Sequence, residues 1–423
     1  MKTSMKARPK KGWHCPSCVE SQVRGMGVED GFEDSTTSYT LDTFGIFANE
    51  YKRQKFGKEP SDVPLDDIEK LYWRNMLDGE MDLEVKYGAD LMVSKVGSGF
   101  HRKTDSNLSE KNREMANHPW NLNNMPVGRD SVLSHMDESI SGMTVPWVYV
   151  GMVFSTFCWH TEDHWTYSVN YNHWGEPKIW YGIGGDQATK FEEVIESICP
   201  SLFRIHPDLL HHMTVAANPH LLRSRGVDVH TVHQNAGEFV ITFPRAYHAG
   251  FNQGLNFAEA VNFAPVDWLS HGREAMLSYA KVQRNCVFAH DELVMNIARS
   301  SDNLSSSIAA ATLEELRIMH RREREYREEA VKRGVTKRDR LIFEKIAEDD
   351  ERMCGHCNTT LFMSAVRCSH GKNACLDHID HLCEKCPIEE TTLLFSFEVD
   401  ELVALMGKLE ERTKEHREFE REA

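Results

Sequence analysis

The sequence predicts an α+β protein, with a β-barrel or sandwich in mid-chain, a helical region after it and a small cysteine-rich module near the C-terminus. Three observations predict it. Short aromatic and β-branched segments, separated by Gly, Pro and Asn, run from Pro146 to Phe263. Apolar residues then recur at helical spacing from Arg273 to Arg333. Six of the eleven cysteines fall between Cys354 and Cys386.

Composition narrows the class. With 40% hydrophobic and 9% aromatic residues, the chain has the makings of a folded core. No apolar run is long enough to span a bilayer. The basic stretch Met1–Lys11 lacks the apolar centre of a secretory signal, so the expectation is an intracellular protein with reduced thiols. In that setting clustered cysteines bind metal rather than pair as disulfides. A formal charge of -16 offers no basic footprint for duplex DNA, so no direct DNA binding is expected. It suits a strongly basic partner such as a histone tail, although net acidity by itself does no more than favour solubility.

The elements follow in order. Lys6–Lys11 (KARPKK) has the composition of a nuclear import signal and, more commonly, of a solvated tail. Cys15 and Cys18 stand at zinc spacing, but two thiolates cannot close a tetrahedral site. Tyr39–Phe56 reads as a helix with Leu41, Phe44, Phe47, Ala48 and Tyr51 on one face, and Asp66–Met76 as a second burying Ile68, Leu71 and Tyr72. Glu84–Tyr87 reads as a short strand and the polar stretch Ser94–Asn117 as loop. Strands are expected at Pro146–His160, Trp165–Asn172, Pro177–Gly182, Gly237–Phe243 and Phe257–Phe263, with a helix-like insertion at Asp186–Val227. Helices are expected at Arg273–Val287, Asp291–Ser300, Ser307–Arg333 and Glu398–Glu422, with the charge-dense run His320–Arg327 on an exposed face.

The chemistry concentrates at His160-Thr161-Glu162, followed 86 residues later by His248. Two imidazoles and one carboxylate are the donors of an open-faced iron(II) site, which leaves positions free for a cosubstrate and oxygen. Residues two apart on a strand share a face, so His160 and Glu162 are expected to point into a barrel together. His248 follows the strand ending at Phe243 through the turn-like Pro244–Tyr247, and its distance in sequence lets a later strand return opposite the first, the layout of a double-stranded β-helix. A lone His-x-Glu pair is usually a surface pair, and His164 and His173 crowd this one. Zinc uses the same donor types, although no helical His-Glu-x-x-His is present. Spacing alone favours iron only slightly.

An iron(II) oxygenase needs an electron source. If that source is 2-oxoglutarate, its distal carboxylate requires a cation with hydroxyl or amide donors. Lys178 is the cation expected, with Tyr87, Ser168 and Asn170 completing the contacts and Phe157 walling the site. Ser168, Asn170 and Lys178 share one parity, as on one strand face across a turn. Further on, Cys354, Cys357, Cys368, His370, Cys375, His378, Cys383 and Cys386 supply enough donors for two tetrahedral zinc sites with a structural role.

These stretches resemble the JmjC-domain histone lysine demethylases, and among them the Jumonji/ARID group, lysine-specific demethylase family five. The resemblance is carried by KYGAD (86–90), GSGF (97–100), WNLNNMP (120–126), the long run 145–182 and the run 237–263, and with the cysteine cluster it covers roughly residues 13 to 400. It implies a cupin-like JmjC barrel that uses Fe(II) and 2-oxoglutarate and carries a C5HC2-type zinc finger with two Zn(II). It implies that His160, Glu162 and His248 bind iron, that Tyr87, Phe157, Ser168, Asn170 and Lys178 hold 2-oxoglutarate, that Asn252 lies near the iron, and that Tyr149 and Trp165 border a methyl-lysine channel. It implies interleaved zinc ligands: Cys354, Cys357, Cys375 and His378 in one site, and Cys368, His370, Cys383 and Cys386 in the other. His370 stands where the family usually has cysteine, and two residues rather than one separate Cys383 from Cys386. Ala249 stands where serine is frequent.

The domains expected on this basis are a basic tail with the end of a PHD finger (1–24), a mixed N-terminal part of the core (25–113), the JmjC domain (114–280), a helical linker (281–350), the finger (351–400) and a charged terminal helix (401–423). The activity implied is demethylation of the fourth-position lysine of histone H3, in its tri- and dimethyl states, by N-methyl hydroxylation and formaldehyde release. The partners implied are the H3 tail and repressor complexes of chromatin, in the nucleus. A JmjN segment is expected in this family and is not seen, so a JmjC protein hydroxylase and a weakly active chromatin scaffold stand as alternatives.

Overall fold

The computed structural model describes residues 3–6, 32–78, 84–346 and 349–422. Cys15, Cys18 and the basic run beyond Lys6 lie outside them. The chain forms two compact units: residues 1–128, 139–162 and 166–263 make the first, and residues 129–138, 163–165 and 264–423 the second.

The first unit holds strands β1 (Thr3–Lys6), β2 (Phe32–Asp34), β3 (Glu84–Met92), β4 (Trp147–Gly151), β5 (Thr156–His160), β6 (Tyr167–Gly175), β7 (Lys178–Ile183), β8 (His230–Gln234), β9 (Phe239–Thr242), β10 (Tyr247–Asn252) and β11 (Asn256–Phe263). Among the described residues they form two antiparallel sheets, ordered β2-β1-β3-β4-β11-β6-β9 and β5-β10-β7-β8. That is the expected double-stranded β-helix.

Helices α1 (Leu41–Phe56) and α2 (Leu65–Asp78) lie in the same unit. Thr40 caps α1 through a reciprocal box with Thr43, and Gly57 ends it at φ 64, a left-handed conformation that costs glycine little. Phe44 and Ala48 of α1, and Ile68, Tyr72 and Trp73 of α2, join Val148, Val150, Phe154, Trp159, Ile179, Tyr181 and Phe251 in one buried cluster. Tyr72 stacks on Phe251 at 3.8 Å between ring centres.

Several expectations are corrected. Pro146–His160 is not one strand: β4 and β5 belong to different sheets and part at 152–155, where Ser155 Oγ bonds the main chain of Met152 and Phe154 adopts φ 70. Burial on both faces removes the polar alternation that would have marked the break. Strands β8 and β10 were not anticipated. The sequence of β10, YHAGFN, is poor in β-branched residues, yet the strand is buried throughout. Ser94–Asn117 is not all loop, since Val93–Val96 is a short helix and α3 spans Glu110–Asn117, capped by Ser109. Its buried face is only Ala116, too little to show as a periodic pattern. Between β7 and β8 the insertion forms α4 (Ala188–Ile198), which buries Ala188, Phe191 and Ile195, and the shorter helices Pro200–Ile205 and Pro219–Ser224.

The second unit contains α5 (Trp268–Lys281), α6 (His290–Arg299), α7 (Ser306–Lys332) and α8 (Val399–Glu422), with a sheet ordered β12-β15-β13-β14 from Lys337–Arg340 (β12), Ser364–Arg367 (β13), Asn373–Ala374 (β14) and Thr392–Phe395 (β15). Helix α5 starts earlier than expected and stops before Val287, with Gln283 at φ 56 just beyond it. The run His320–Arg327 is not wholly exposed. Glu323 and Arg327 are buried and paired at 2.8 Å, Arg327 also donates to the carbonyl of Phe397, and Ser364 donates to Glu323. An i,i+4 pair closed by such partners is satisfied without water.

Candidate active site

His160 ends β5 and stands in register opposite His248 of β10. Their rings lie 4.2 Å apart between centres. Glu162 lies two residues past the end of β5, which corrects the expectation of a shared strand face. It is held from elsewhere: Asn262 on β11 donates to Glu162 Oε2 at 2.8 Å and to Thr166 Oγ1 at 2.8 Å. The other oxygen, Oε1, is 3.3 Å from His248 Nε2. One donor atom from each of His160, Glu162 and His248 falls within 4.8 Å of the others.

The imidazoles are fixed in the tautomer that metal binding needs. His160 Nδ1 donates to the carbonyl of Cys158 at 2.8 Å, and His248 Nδ1 to that of Ala246 at 3.0 Å. Each Nε2 is therefore the free lone pair. Burial, then the neighbouring His248, lowers the His160 pKa to about 4, so its ring is neutral. Burial alone would raise the Glu162 carboxyl, but the neighbouring His248, then His160 and the Asn262 amide, hold it down at about 2. Imidazole Nε2 atoms beside an ionised carboxylate oxygen fit a divalent cation. His173 is committed elsewhere, 3.0 Å from buried Glu259.

A second group of residues lies beside the triad. Lys178, on β7, is fully buried, and burial lowers its pKa to about 7. Its ammonium donates to Asn252 Oδ1 at 2.6 Å and to Tyr87 Oη at 3.5 Å. Among the described residues no carboxylate pairs with it, so a buried cation has only neutral partners, an arrangement that favours an incoming anion. Phe157 bridges the two groups, with its ring 5.6 Å from the ammonium and 6.4 Å from the His160 ring. Asn170 accepts from Gln234 at 3.1 Å, and Gln234 accepts from Trp180 at 2.9 Å. Ser168 is 2.5 Å from Thr242 Oγ1. Ser168 and Asn170 sit on the larger sheet and Lys178 on the smaller, so they do not share one strand face as expected.

Asn252 corrects another expectation. It is paired in register with Lys178 and binds its ammonium, four residues along β10 from His248. At roughly 3.4 Å rise per residue it stands with the cation rather than beside the triad. Tyr149, on β4, has its ring 6.1 Å from that of Tyr87. Its hydroxyl is hydrogen-bonded to Asp90, and burial, then the charges of Asp90, Tyr87 and Glu162, raise its pKa well above the phenol range. Trp165 is buried in the turn Asp163–Trp165 at φ 51, counted with the second unit.

Sequence reasoning missed Asp90, Thr242, Trp180, Gln234 and Asn262. The available signal was polar residues at inward parity in otherwise apolar strands, such as Asn262 in NFAEAVNF.

In the second unit the cysteine-rich module brings its donors into two groups. Cys354, Cys357, Cys375 and His378 converge, and so do Cys368, His370, Cys383 and Cys386. Cys375 Sγ is 3.1 Å from His378 Nδ1, and Cys386 Sγ is 2.9 Å from His370 Nδ1. Each is a closed set of soft and borderline donors that fits zinc.

Comparison with known proteins agrees with this geometry. Residues 147–263 match the family described as JmjC domain, hydroxylase. Residues 267–321 match the C-terminal helical domain of lysine-specific demethylase 5, and residues 354–405 the C5HC2 zinc finger. The chain is 52% identical over 412 residues to lysine-specific demethylase rbr-2 of Caenorhabditis briggsae, covering 96% of this chain and 28% of that protein. It is 46% identical over 409 residues to lysine-specific demethylase 5D of Homo sapiens (96% and 26%) and 45% identical over 414 residues to lysine-specific demethylase 5B of Gallus gallus (97% and 27%). The chain thus spans little more than a quarter of the length of these relatives. Iron(II) and 2-oxoglutarate belong to the JmjC domain and zinc to the finger.

Proposed function

We propose that this chain, which belongs to the JmjC-domain lysine-specific demethylase 5 family, removes methyl groups from the fourth-position lysine of histone H3, in its tri- and dimethyl states. The observation that carries the reading is the buried ammonium of Lys178, paired with no carboxylate among the described residues, with Phe157 between it and the His160, Glu162 and His248 donors.

In this reading His160, Glu162 and His248 hold iron. Lys178 receives the distal carboxylate of 2-oxoglutarate, supported by Tyr87, Asn252, Ser168 and Asn170, and Phe157 walls the cosubstrate. With both bound, iron and 2-oxoglutarate supply the oxidation that turns an N-methyl C–H into C–OH, consuming O₂ and releasing succinate and CO₂. The hydroxymethyl amine then breaks its C–N bond, giving formaldehyde and a lysine with one methyl fewer. Because hydrogen leaves from carbon, no nitrogen lone pair is required, and trimethyl-lysine can react.

The remaining residues orient and exclude water. Asn262 fixes the carboxylate oxygen not offered to the metal, and the Cys158 and Ala246 carbonyls fix the rings. In this reading Tyr149 borders the substrate channel. Tyr149, hydrogen-bonded to Asp90, offers an aromatic face backed by a carboxylate, which suits a quaternary ammonium. A histone tail, strongly basic, also suits a chain of net charge -16, and the site of action is chromatin in the nucleus, with repressor complexes as partners.

The test is mass spectrometry of a trimethyl-lysine H3 peptide incubated with the chain, iron, ascorbate and 2-oxoglutarate. Stepwise loss of methyl groups with stoichiometric formaldehyde is expected. Stable hydroxylation of another protein without formaldehyde would identify a hydroxylase instead. No succinate from the iron-loaded protein would identify a scaffold.

A further inference from the structure

The insertion between β7 and β8 carries a further group of metal-type donors, distinct from the triad and from both groups of the finger. His206, Asp208 and His212 each bring one donor atom within 4.8 Å of the others. His212 Nε2 lies 3.0 Å from Asp208 Oδ2. The His206 and His212 rings are 5.9 Å apart between centres, nearly edge to face.

The local fold produces this convergence. Helix Pro200–Ile205 ends at His206, whose N–H donates to the carbonyl of Leu202 at 2.7 Å. The chain then turns twice in close succession: Leu209 N–H donates to the carbonyl of His206 at 3.0 Å, and His212 N–H to that of Leu209 at 3.1 Å. Leu209 and Leu210 are buried, which anchors the turns, while the His212 side chain stays 47% exposed and that of Asp208 32%. Met213 follows at φ 53 and turns the chain away.

An exposed His–Asp pair at i,i+4 is an ordinary surface feature worth little. That reading accounts for two of the three residues. It does not account for His206 coming from the preceding turn to the same point. Two imidazoles and a carboxylate are donors for a borderline divalent ion, and three protein ligands leave a position for water, which the exposure permits. The His212–Asp208 separation is close to the donor–donor edge of a zinc tetrahedron, roughly 3.3 Å for metal bonds of about 2.0 Å.

We propose that His206, Asp208 and His212 bind a divalent transition ion of the zinc class. The ion staples the insertion next to the strand that bears His160. Three residues beyond His212, the Val215 carbonyl accepts from the Trp159 N–H at 2.9 Å, and the Ala217 carbonyl accepts from Trp159 Nε1 at 2.9 Å. The segment that starts at the metal turn therefore lines β5 one residue before His160.

The experiment uses the full chain with the triad loaded with iron and the finger with zinc, freed of excess metal. Zinc is titrated by calorimetry and cobalt(II) by visible absorption. One additional ion per chain is expected, with a cobalt spectrum free of the sulfur-to-metal band that a finger site would give. His212→Ala and Asp208→Asn should each weaken that uptake at least tenfold, with finger zinc and triad iron unchanged. His206→Gln and His212→Gln preserve size and hydrogen bonding and should show the same loss. Hydrogen exchange at residues 213–217 should slow on zinc addition in the parent and not in the variants. No additional ion in the parent, or equal uptake in the variants, would overturn the proposal.

Discussion

The metal-type sites of the two units are built by opposite strategies. The triad joins His160 and Glu162 to a histidine 86 residues away, and its carboxylate depends on Asn262 from yet another strand. The finger draws all its donors from the short run 354–386, and each group closes on itself with four ligands. The triad stops at three, partly buried, with Phe157 between it and the Lys178 ammonium. The lesson concerns division of labour. Four local donors saturate an ion and hold a small module together, whereas three donors on a rigid barrel leave the ion unsaturated and available for chemistry.

A reciprocal pair of substitutions tests that division most severely. His160→Ala should abolish succinate production and leave the zinc content of the finger intact. Cys375→Ala should lose one zinc and destabilise the second unit by several kcal/mol, a magnitude expected where metal binding is coupled to folding, while the triad still takes up iron. Metal analysis and calorimetric melting of both variants check this, and a finger that loses its zinc in His160→Ala would break the comparison.

A smaller effect sharpens it. Asn262→Ala removes the amide that holds the second oxygen of Glu162 and bonds Thr166, so iron affinity should fall by about 10- to 100-fold, the range expected when a metal ligand's own support is removed. Titration of iron against a competing chelator measures this, and unchanged affinity would reduce Asn262 to a packing role.

The smallest effect is in pH. The Lys178 ammonium, held at about 7 by burial, loses its proton as pH rises through that value, and the site loses its positive charge. The kcat/KM for 2-oxoglutarate should therefore decline several-fold from pH 6 to 8, while Lys178→Met should be low and flat. A profile for the parent as flat as that of Lys178→Met would remove the lysine from the cosubstrate site.

How much was legible in the sequence follows from the same contrast. The finger could be read because its spacing is local: Cys354 and Cys357, or Cys383 and Cys386, announce themselves within a turn. The triad's donor types and order could be read, since this His-x-Glu, unlike those at His290 and His416, closes a strand-like run within the stretch that carries the resemblance. Its supports could not. Asn262 and Gln234 act through strand register, which places Asn262 opposite Ser168 and Gln234 opposite Lys178, and register is a property of pairing rather than of either segment. Strand β10 escaped for a related reason. Ala249 and Gly250 carry little strand preference, and Gly250 is required there because a Cβ would strike the Ile179 carbonyl at 2.0 Å. Asn252 was placed beside the iron by resemblance, and only the pairing with Lys178 moves it to the cation.

The facing of His160 and His248 across two hydrogen-bonded strands has one further consequence. The backbone positions beneath the two rings are set by main-chain rungs, so the rings part only by turning away from each other or by separation of the strands. An ion can depart while the barrel stays shut. The barrel cannot open at that rung without letting the ion go, and the occupied pocket therefore locks the very seam on which it is built.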